Sequence, residues 1–350
     1  MPKAEGEGKG AAKKQDQAPI IVGPAPHFFS PVSIPRMMWD VVLALIPAFV
    51  AAIYFFGIQA FLHIFSAVLA AVVTESVCLR VSRRPGSVRD GSAVVTGMLI
   101  AFCLPSQVPY WMSALGAVVA IVVGKHVFGG LGQNIFNPAL VGRAFLLASW
   151  PQLMTTWKKP VAVFGSARWW NPMDSITTAT PLAIIKQAGG FAEGALSKHG
   201  EGLWDLFLGH VGGSLGETSV LALLIGALYL FYRGHITWHI PIAYIGTVGA
   251  FAFLFMGDSY FSLYAMMFHL FAGGLVLGAF FMATDLVTTP ISPLGRVLFG
   301  VGAGCLTCLI RAFGGYPEGV CYSILLMNTA GPLIDRLTVP RRFGEVPDKK

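Results

Sequence analysis

The sequence predicts an all-α polytopic membrane protein. Three observations carry that expectation. Hydrophobic residues fill 55% of the 350 positions and charged residues only 12%, where a soluble domain has about 25% charged. The apolar residues gather into stretches long enough for membrane-crossing helices, which need about 20 residues each. Lys and Arg fall in the short polar gaps between those stretches.

The elements follow in order along the chain. Residues 1–35 form a tail whose first 18 positions are polar and rich in Lys, Gly and Ala; they read as disordered, with no cleavable signal peptide. Residues 36–150 hold five apolar stretches, at about 37–57, 59–79, 91–105, 109–128 and 135–150. The third and fifth are short and read as tilted, broken or re-entrant, which a membrane tolerates where backbone faces protein or a cavity. Residues 151–217 are the longest segment without a span. Residues 218–338 hold five more stretches, at about 218–232, 236–256, 260–284, 294–312 and 319–338, and 339–350 form a basic tail.

Charge sets the orientation. Lys3, Lys9, Lys13, Lys14 and Arg36, then Arg80, Arg83, Arg84 and Arg89, then Arg233, Arg296, Arg336, Arg341, Arg342, Lys349 and Lys350 fall on one side. By the positive-inside rule that side is cytoplasmic, and an even number of spans places both termini there. The opposite side has short connections and the segment 151–217, which is expected to be extracytoplasmic. This placement also disposes of nucleic acid as the reason for a net charge of +7. Cys305 and Cys308 have CxxC spacing inside an apolar stretch with no second pair, so the five cysteines read as packing residues rather than metal ligands. The histidines show no metal spacing; His235 and His239 flank Trp238 and read as interfacial anchors.

A short internal echo divides the chain. Gly97-Met-Leu-Ile-Ala-Phe leads on to Gly129-Gly130 and Asn137-Pro138; Gly278-Ala-Phe-Phe-Met-Ala leads on to Gly314-Gly315, Asn328 and Pro332. With five spans in each half, the two repeats have opposite orientations, a plan common among transport folds.

Polar motifs are few. Asp174-Ser-Ile-Thr-Thr-Ala-Thr180-Pro-Leu182 is small and hydroxyl-rich, and lies in the extracytoplasmic segment. Thr180-Pro181 predicts a helix start, with Thr180 as N-cap and Pro181 in the first helical position. An anion joined to Thr180 would then lie at that helix's N-terminus. Gly129-Gly-Leu-Gly-Gln-Asn-Ile-Phe-Asn-Pro138 is neither a Walker loop nor a dinucleotide-binding turn, because it lacks the Lys-Ser/Thr of the one and the preceding strand of the other. It is read as a tight cytoplasmic-side bend, or as a ligand site through Gly130, Gly132, Asn134 and Asn137. Ionisable residues in or near spans are costly and often functional. Here they are Asp40, Glu75, Lys125, Arg143, His269, Asp285, Glu318 and Asp335. Asp40, Glu75, Lys125, Asp285 and Asp335 are the candidates for coupling to an ion.

Four stretches carry a family resemblance: Gly129 to Ala139, Asp174 to Leu182, Leu277-Gly-Ala-Phe-Phe-Met-Ala-Thr-Asp-Leu-Val-Thr288, and Phe313-Gly-Gly-Tyr-Pro-Glu-Gly-Val320 continuing to Asn328, Asp335 and Pro340-Arg341. In this order and spacing, over about residues 26–345, the chain resembles the D subunits of Rnf complexes, the ion-translocating ferredoxin:NAD oxidoreductases. They are relatives of the B subunit of the sodium-pumping NADH:quinone oxidoreductase.

The resemblance implies about ten transmembrane helices as two inverted five-helix repeats, similar to urea transporters. It implies FMN joined by a phosphoester to Thr180, attached by a flavin transferase that reads a pattern like Asp-Gly-x-Ser/Thr-Gly-Ala-Ser/Thr. Asp174, Thr177, Ala179 and Thr180 match that pattern, whereas Ser175 and Thr178 replace its glycines. Non-covalent riboflavin near Asn134 and Asn137 is implied by the sodium-pump relative. The implied partners are the flavin-bearing G subunit, the A and E subunits, and Na⁺ or H⁺, in a bacterial or archaeal plasma membrane. A quinone-reducing sodium-pump subunit and a small-solute channel of the same fold remain open alternatives.

Overall fold

A computed structural model of the chain describes residues 33–83, 88–158, 160, 177–187, 202–257 and 261–339. Helix fills each of the ten apolar stretches, and the reason is clearest in α2 (Ile58–Ser82). Phe61, Phe65, Leu69, Val73 and Val77, four apart, are exposed, while Ala60, Ile64, Ala67, Ala71 and Glu75 are buried. Large apolar side chains point outward and small ones inward. Water would penalise that arrangement, whereas lipid favours it, because small residues let helices approach closely.

Helix α1 (Ile34–Phe56) precedes α2. After them come α3 (Ser92–Phe102), then α4 (Tyr110–Val119), which runs into a π-helical turn over Ala120–His126, and α5 (Pro138–Ser149). Helix α5 starts where Asn137 Oδ1 accepts from the Ala139 N–H at 3.0 Å and Pro138 takes the first helical position. Short α6 (Pro151–Met154) leads to a two-stranded antiparallel ribbon, β1 (Trp157–Lys158) with β2 (Thr177–Thr178), in which Trp157 faces Thr178. Helices α7 (Pro181–Gln187) and α8 (Leu203–Leu208) follow.

The second half holds α9 (Val220–Tyr232), α10 (His239–Phe255), α11 (Leu263–Phe271), α12 (Leu275–Leu277) with a π turn over Gly278–Met282, α13 (Pro293–Phe313) and α14 (Val320–Leu337). By length and hydropathy α1, α2 and α13 can each cross a membrane alone, and α11 with α12 and its π turn has the length and hydropathy of a fourth such segment, bent by 66° as a broken span or a re-entrant loop. The break therefore lies at Gly273-Gly274, in the stretch 260–284, which reads as continuous in sequence. The third and fifth stretches, expected to be tilted, broken or re-entrant, are unbroken short helices of 11 and 12 residues.

Two contacts join the halves near their echoed motifs. Asn137 Nδ2 donates to the Met282 carbonyl at 3.2 Å. With the Asn328 amide turned to satisfy both its partners, its oxygen accepts from the Asn137 N–H at 3.1 Å. The two asparagines that close the echo thus touch.

Helices α10 and α13 meet through Gly300 and Gly304. A Cβ on Gly304 would stand 2.7 Å from Thr247 Cβ and 3.1 Å from the Tyr244 carbonyl. Below this contact the buried Tyr244 hydroxyl bonds Thr307 at 2.7 Å and Ser323 at 3.0 Å, tying α10, α13 and α14 together. Gly304→Val is expected to cost about 1–3 kcal/mol through overpacking. A lower thermal midpoint of the detergent-solubilised protein is the readout, and an unchanged midpoint would mean that the contact yields freely.

Candidate functional site

Thr180 is the N-cap of α7, as its pairing with Pro181 predicts. Its Oγ1 accepts from the Ala183 N–H at 3.2 Å, and its carbonyl accepts from the Ile184 N–H at 2.9 Å. The residue is only 6% exposed. Helix α7 is fixed by Leu182 and Ile185, which pack with Leu206 of α8 and Ala265, Phe268 and Ala272 of and beside α11. Thr177 and Thr178 form β2, Ala179 links it to Thr180, and Asp174 lies outside the described residues.

Two cavities meet at this corner. A small one, about 20 Å³, is bounded by Thr180, Glu217, Gly273 and Glu318. A large one, about 550 Å³, is bounded by Trp157, Ala183, Lys186, Tyr316, Glu318 and Tyr322, with Arg143 at its base. Tyr316 and Tyr322 stack at 6.2 Å between ring centroids. Lys186 Nζ donates to the Gly314 carbonyl, holding α7 against the loop before α14. A further hollow of about 480 Å³, on another side of α7, is bounded by Ile185, Phe255, His269 and Arg311.

An ion cluster separates the small and large cavities. Arg143 Nη1 donates to Glu217 Oε1 at 2.7 Å and Arg143 Nη2 donates to Glu318 Oε2. Glu217 lies against the bend between α11 and α12, where a Cβ on Gly274 would crowd its Oε1 and force the carboxylate to shift. Arg311 braces the same corner by donating to the carbonyls of His269 at 2.6 Å, Ala272 at 3.1 Å and Glu318 at 3.2 Å.

Lys125, Asn134, Asn137 and Asp285 gather at the opposite end of α5. A cavity of about 100 Å³ is bounded by Ser92, Lys125, Asn134, Asn137, His235 and Asp285, and both π turns reach it, through Lys125 and through Phe280 and Phe281. Ten residues of helix, about 15 Å, separate Asn137 from Leu147 at the large cavity. Gly130 and Gly132 have φ of +103° and +91° with open space where a Cβ would point, so they serve the backbone turn. Lys125 Nζ donates to Glu75 at 2.6 and 2.8 Å and to Ser92 Oγ at 2.7 Å, all buried. Asp40 accepts from Arg233 at 2.8 Å, Tyr229 at 3.0 Å and His235 at 2.6 Å. His235 is thus part of an ion cluster; Trp238 stacks on His239 at 4.1 Å instead. Asp285 caps its own turn through Val287 and Thr288, and Asp335 accepts from the Ile291 N–H at 2.9 Å.

The match to known proteins spans this whole arrangement. The model of the NQR2, RnfD, RnfE family matches residues 21–344. The chain belongs to that family. It is 48% identical over 332 residues to the D subunit of the proton-translocating ferredoxin:NAD(+) oxidoreductase complex of Clostridium ljungdahlii, covering 93% of this chain and 96% of the relative. It is 44% identical over 333 residues to the D subunit of the Na(+)-translocating ferredoxin:NAD(+) oxidoreductase complex of Acetobacterium woodii, covering 95% and 97%. It is 40% identical over 328 residues to the D subunit of an ion-translocating oxidoreductase complex of Stutzerimonas stutzeri, covering 89% and 92%. Two family members of similar likeness carry different ions in their names, so identity at this level does not select the ion.

Within the family frame, sequence singled out Arg143 and Glu318 as costly ionisable groups. It missed Glu217, which completes their cluster, and Trp157, Lys186, Tyr316 and Tyr322, which wall the large cavity. Glu217 stands in a loop with no motif, 74 positions from Arg143, and only the fold brings them together.

Lys125→Met is expected to strand buried Glu75 at a cost of about 3 kcal/mol, and Glu75→Gln/Lys125→Met to recover most of it, because breaking a buried pair costs more than removing it. Thermal midpoints of both variants check this; a double variant no more stable than the single one contradicts it.

Proposed function

We propose that the chain is the D subunit of an ion-translocating ferredoxin:NAD(+) oxidoreductase and that it carries FMN as a phosphoester on Thr180. The observation that carries this reading is the aromatic-walled cavity of about 550 Å³ that opens one helical turn from Thr180, within the usual range for ligand pockets. The residues fit the group. Trp157, Tyr316 and Tyr322 offer apolar faces for a fused ring, and Lys186 and Arg143 offer positive charge for a phosphodiester. Helix α7 has seven residues, so its dipole is weak and the cations take the larger share. The hollow beside Arg311 has no such set of rings.

Bound flavin supplies one- and two-electron chemistry that the side chains lack. The chain's own work is positional. In maturation by the transferase, Thr180 Oγ1 would lose its proton and displace the activating group from an activated flavin phosphate, the old P–O bond breaking as the new one forms; α7 and the loop Gly314–Gly319 shape the cavity. In this reading the helices form ten transmembrane segments in two inverted repeats like those of urea transporters. Both termini are cytoplasmic and residue 180 is extracytoplasmic. The G, A and E subunits surround the chain, a flavin transferase matures it, and Na⁺ or H⁺ is the ion moved. Riboflavin at the turn of Asn134 and Asn137 would require that cavity, about 100 Å³, to open. The intact mass of the mature chain is the test: one added FMN supports the reading, and an unmodified mass overturns it.

A further inference from the structure

Glu318 walls the large cavity and pairs with Arg143. It lines both the Thr180 cavity and the aromatic cavity, and its side chain is 16% exposed. Its partner Arg143 is shared with Glu217, whose side chain is 4% exposed. Of the two acids on one guanidinium, Glu318 is the one open to the large cavity.

Resting on the reading of a flavin at Thr180, we propose that Glu318 is the proton acceptor of this site: when the group in the large cavity gains an electron, Glu318 takes a proton from the outer face and Arg143 stays paired with Glu217.

Charge compensation requires such a group. Among the described residues, the cations facing this corner are Arg143 from α5, Arg311 from α13 and Lys186 from α7; the anions are Glu217, before α9, and Glu318. A phosphodiester would bring the formal charge of these described groups to zero. Tyr316, Cys321 and Tyr322 also face the cavity, while His269 of α11 lends its carbonyl to Arg311. One further electron then leaves an uncompensated negative charge in a poorly solvated site, which is costly.

A proton on Glu318 restores the balance. One electron enters from a reduced carrier of the complex, one proton enters from water, and no covalent bond of the chain breaks. Burial and the neighbouring Glu217 carboxylate, opposed by Arg143 and Arg311, raise the Glu318 carboxyl above the ordinary carboxylate range, which favours its taking a proton. The proton it gains frees one prong of Arg143, while the pairing with Glu217 at 2.7 Å keeps the guanidinium in place.

Redox-difference infrared spectroscopy of the purified complex, reduced with dithionite in H₂O and in D₂O, reads the step directly. A carboxylic-acid carbonyl band is expected to appear on reduction, to shift in D₂O, to move in Glu318→Asp, to persist in Glu217→Gln and to vanish in Glu318→Gln. The flavin midpoint potential should also depend less steeply on pH in Glu318→Gln. If Glu318→Gln fails to assemble, the wild-type band and its movement in Glu318→Asp decide. A complex with FMN on Thr180 but no such band, or a band that survives Glu318→Gln, overturns the proposal alone. A chain without the FMN mass overturns the reading beneath it.

Discussion

Thr180→Ala is expected to abolish the flavin fluorescence of this chain after denaturing electrophoresis and to lower its intact mass by one FMN. The loss should be complete, because a phosphoester needs the hydroxyl oxygen and no neighbouring group replaces it at the same atom. It should not come from unfolding: removing a Thr N-cap costs about 1 kcal/mol, and α7 keeps the anchors Leu182 and Ile185. Thr180→Ser, which retains both oxygen and cap, should keep the band.

The geometry adds an order of events. Thr180 is 6% exposed and its oxygen already accepts from Ala183, so on the proposed reading a transferase would be expected to reach it before α7 seats against α8 and α11. Persistent fluorescence in Thr180→Ala would move the linkage to another residue, with Thr177 and Thr178 of β2 next to be tested.

The parts of this architecture that sequence disclosed are those governed by local rules. Composition and spacing placed helices at all ten apolar stretches, the Thr-Pro pair placed the start of α7, and the Asn-Pro pair that of α5. The bend at Gly273-Gly274 was hidden because the residues on both sides are uniformly apolar, and hydropathy has no term for helix direction. The site was half legible. Arg143 and Glu318 stood out as expensive residues, but their pairing spans 175 positions and depends on how α5 meets the loop before α14. Lys125 and Glu75 were singled out separately as ion-coupling candidates. In the fold they neutralise each other, leaving Asp285 and unpaired Asn134 Oδ1 as the polar groups of that cavity with capacity to spare.

Arg143→Leu should be the most destabilising single change at the site, because it strands two carboxylates rather than one. Glu217 loses its 2.7 Å partner beside the span break, and Glu318 loses the only side chain among the described residues that pairs with its carboxylate. Breaking one buried pair costs about 3–5 kcal/mol, and protonation of Glu318 would relieve only part of the doubled loss. Arg143→Lys should recover part of the stability, since an ammonium keeps the charge but cannot fork to two acids as a planar guanidinium does. Arg143→Leu/Glu217→Gln/Glu318→Gln should recover more, since no buried charge remains. Thermal midpoints of the solubilised complex, measured beside the flavin band, separate stability from attachment. If Arg143→Leu melts with the wild type, the carboxylates are solvated or protonated at rest and the cluster is not an ionic hinge between α5 and the broken span. If instead the triple variant is stable and flavinylated yet loses the pH dependence of the flavin potential, the charges serve the redox step and the fold can do without them.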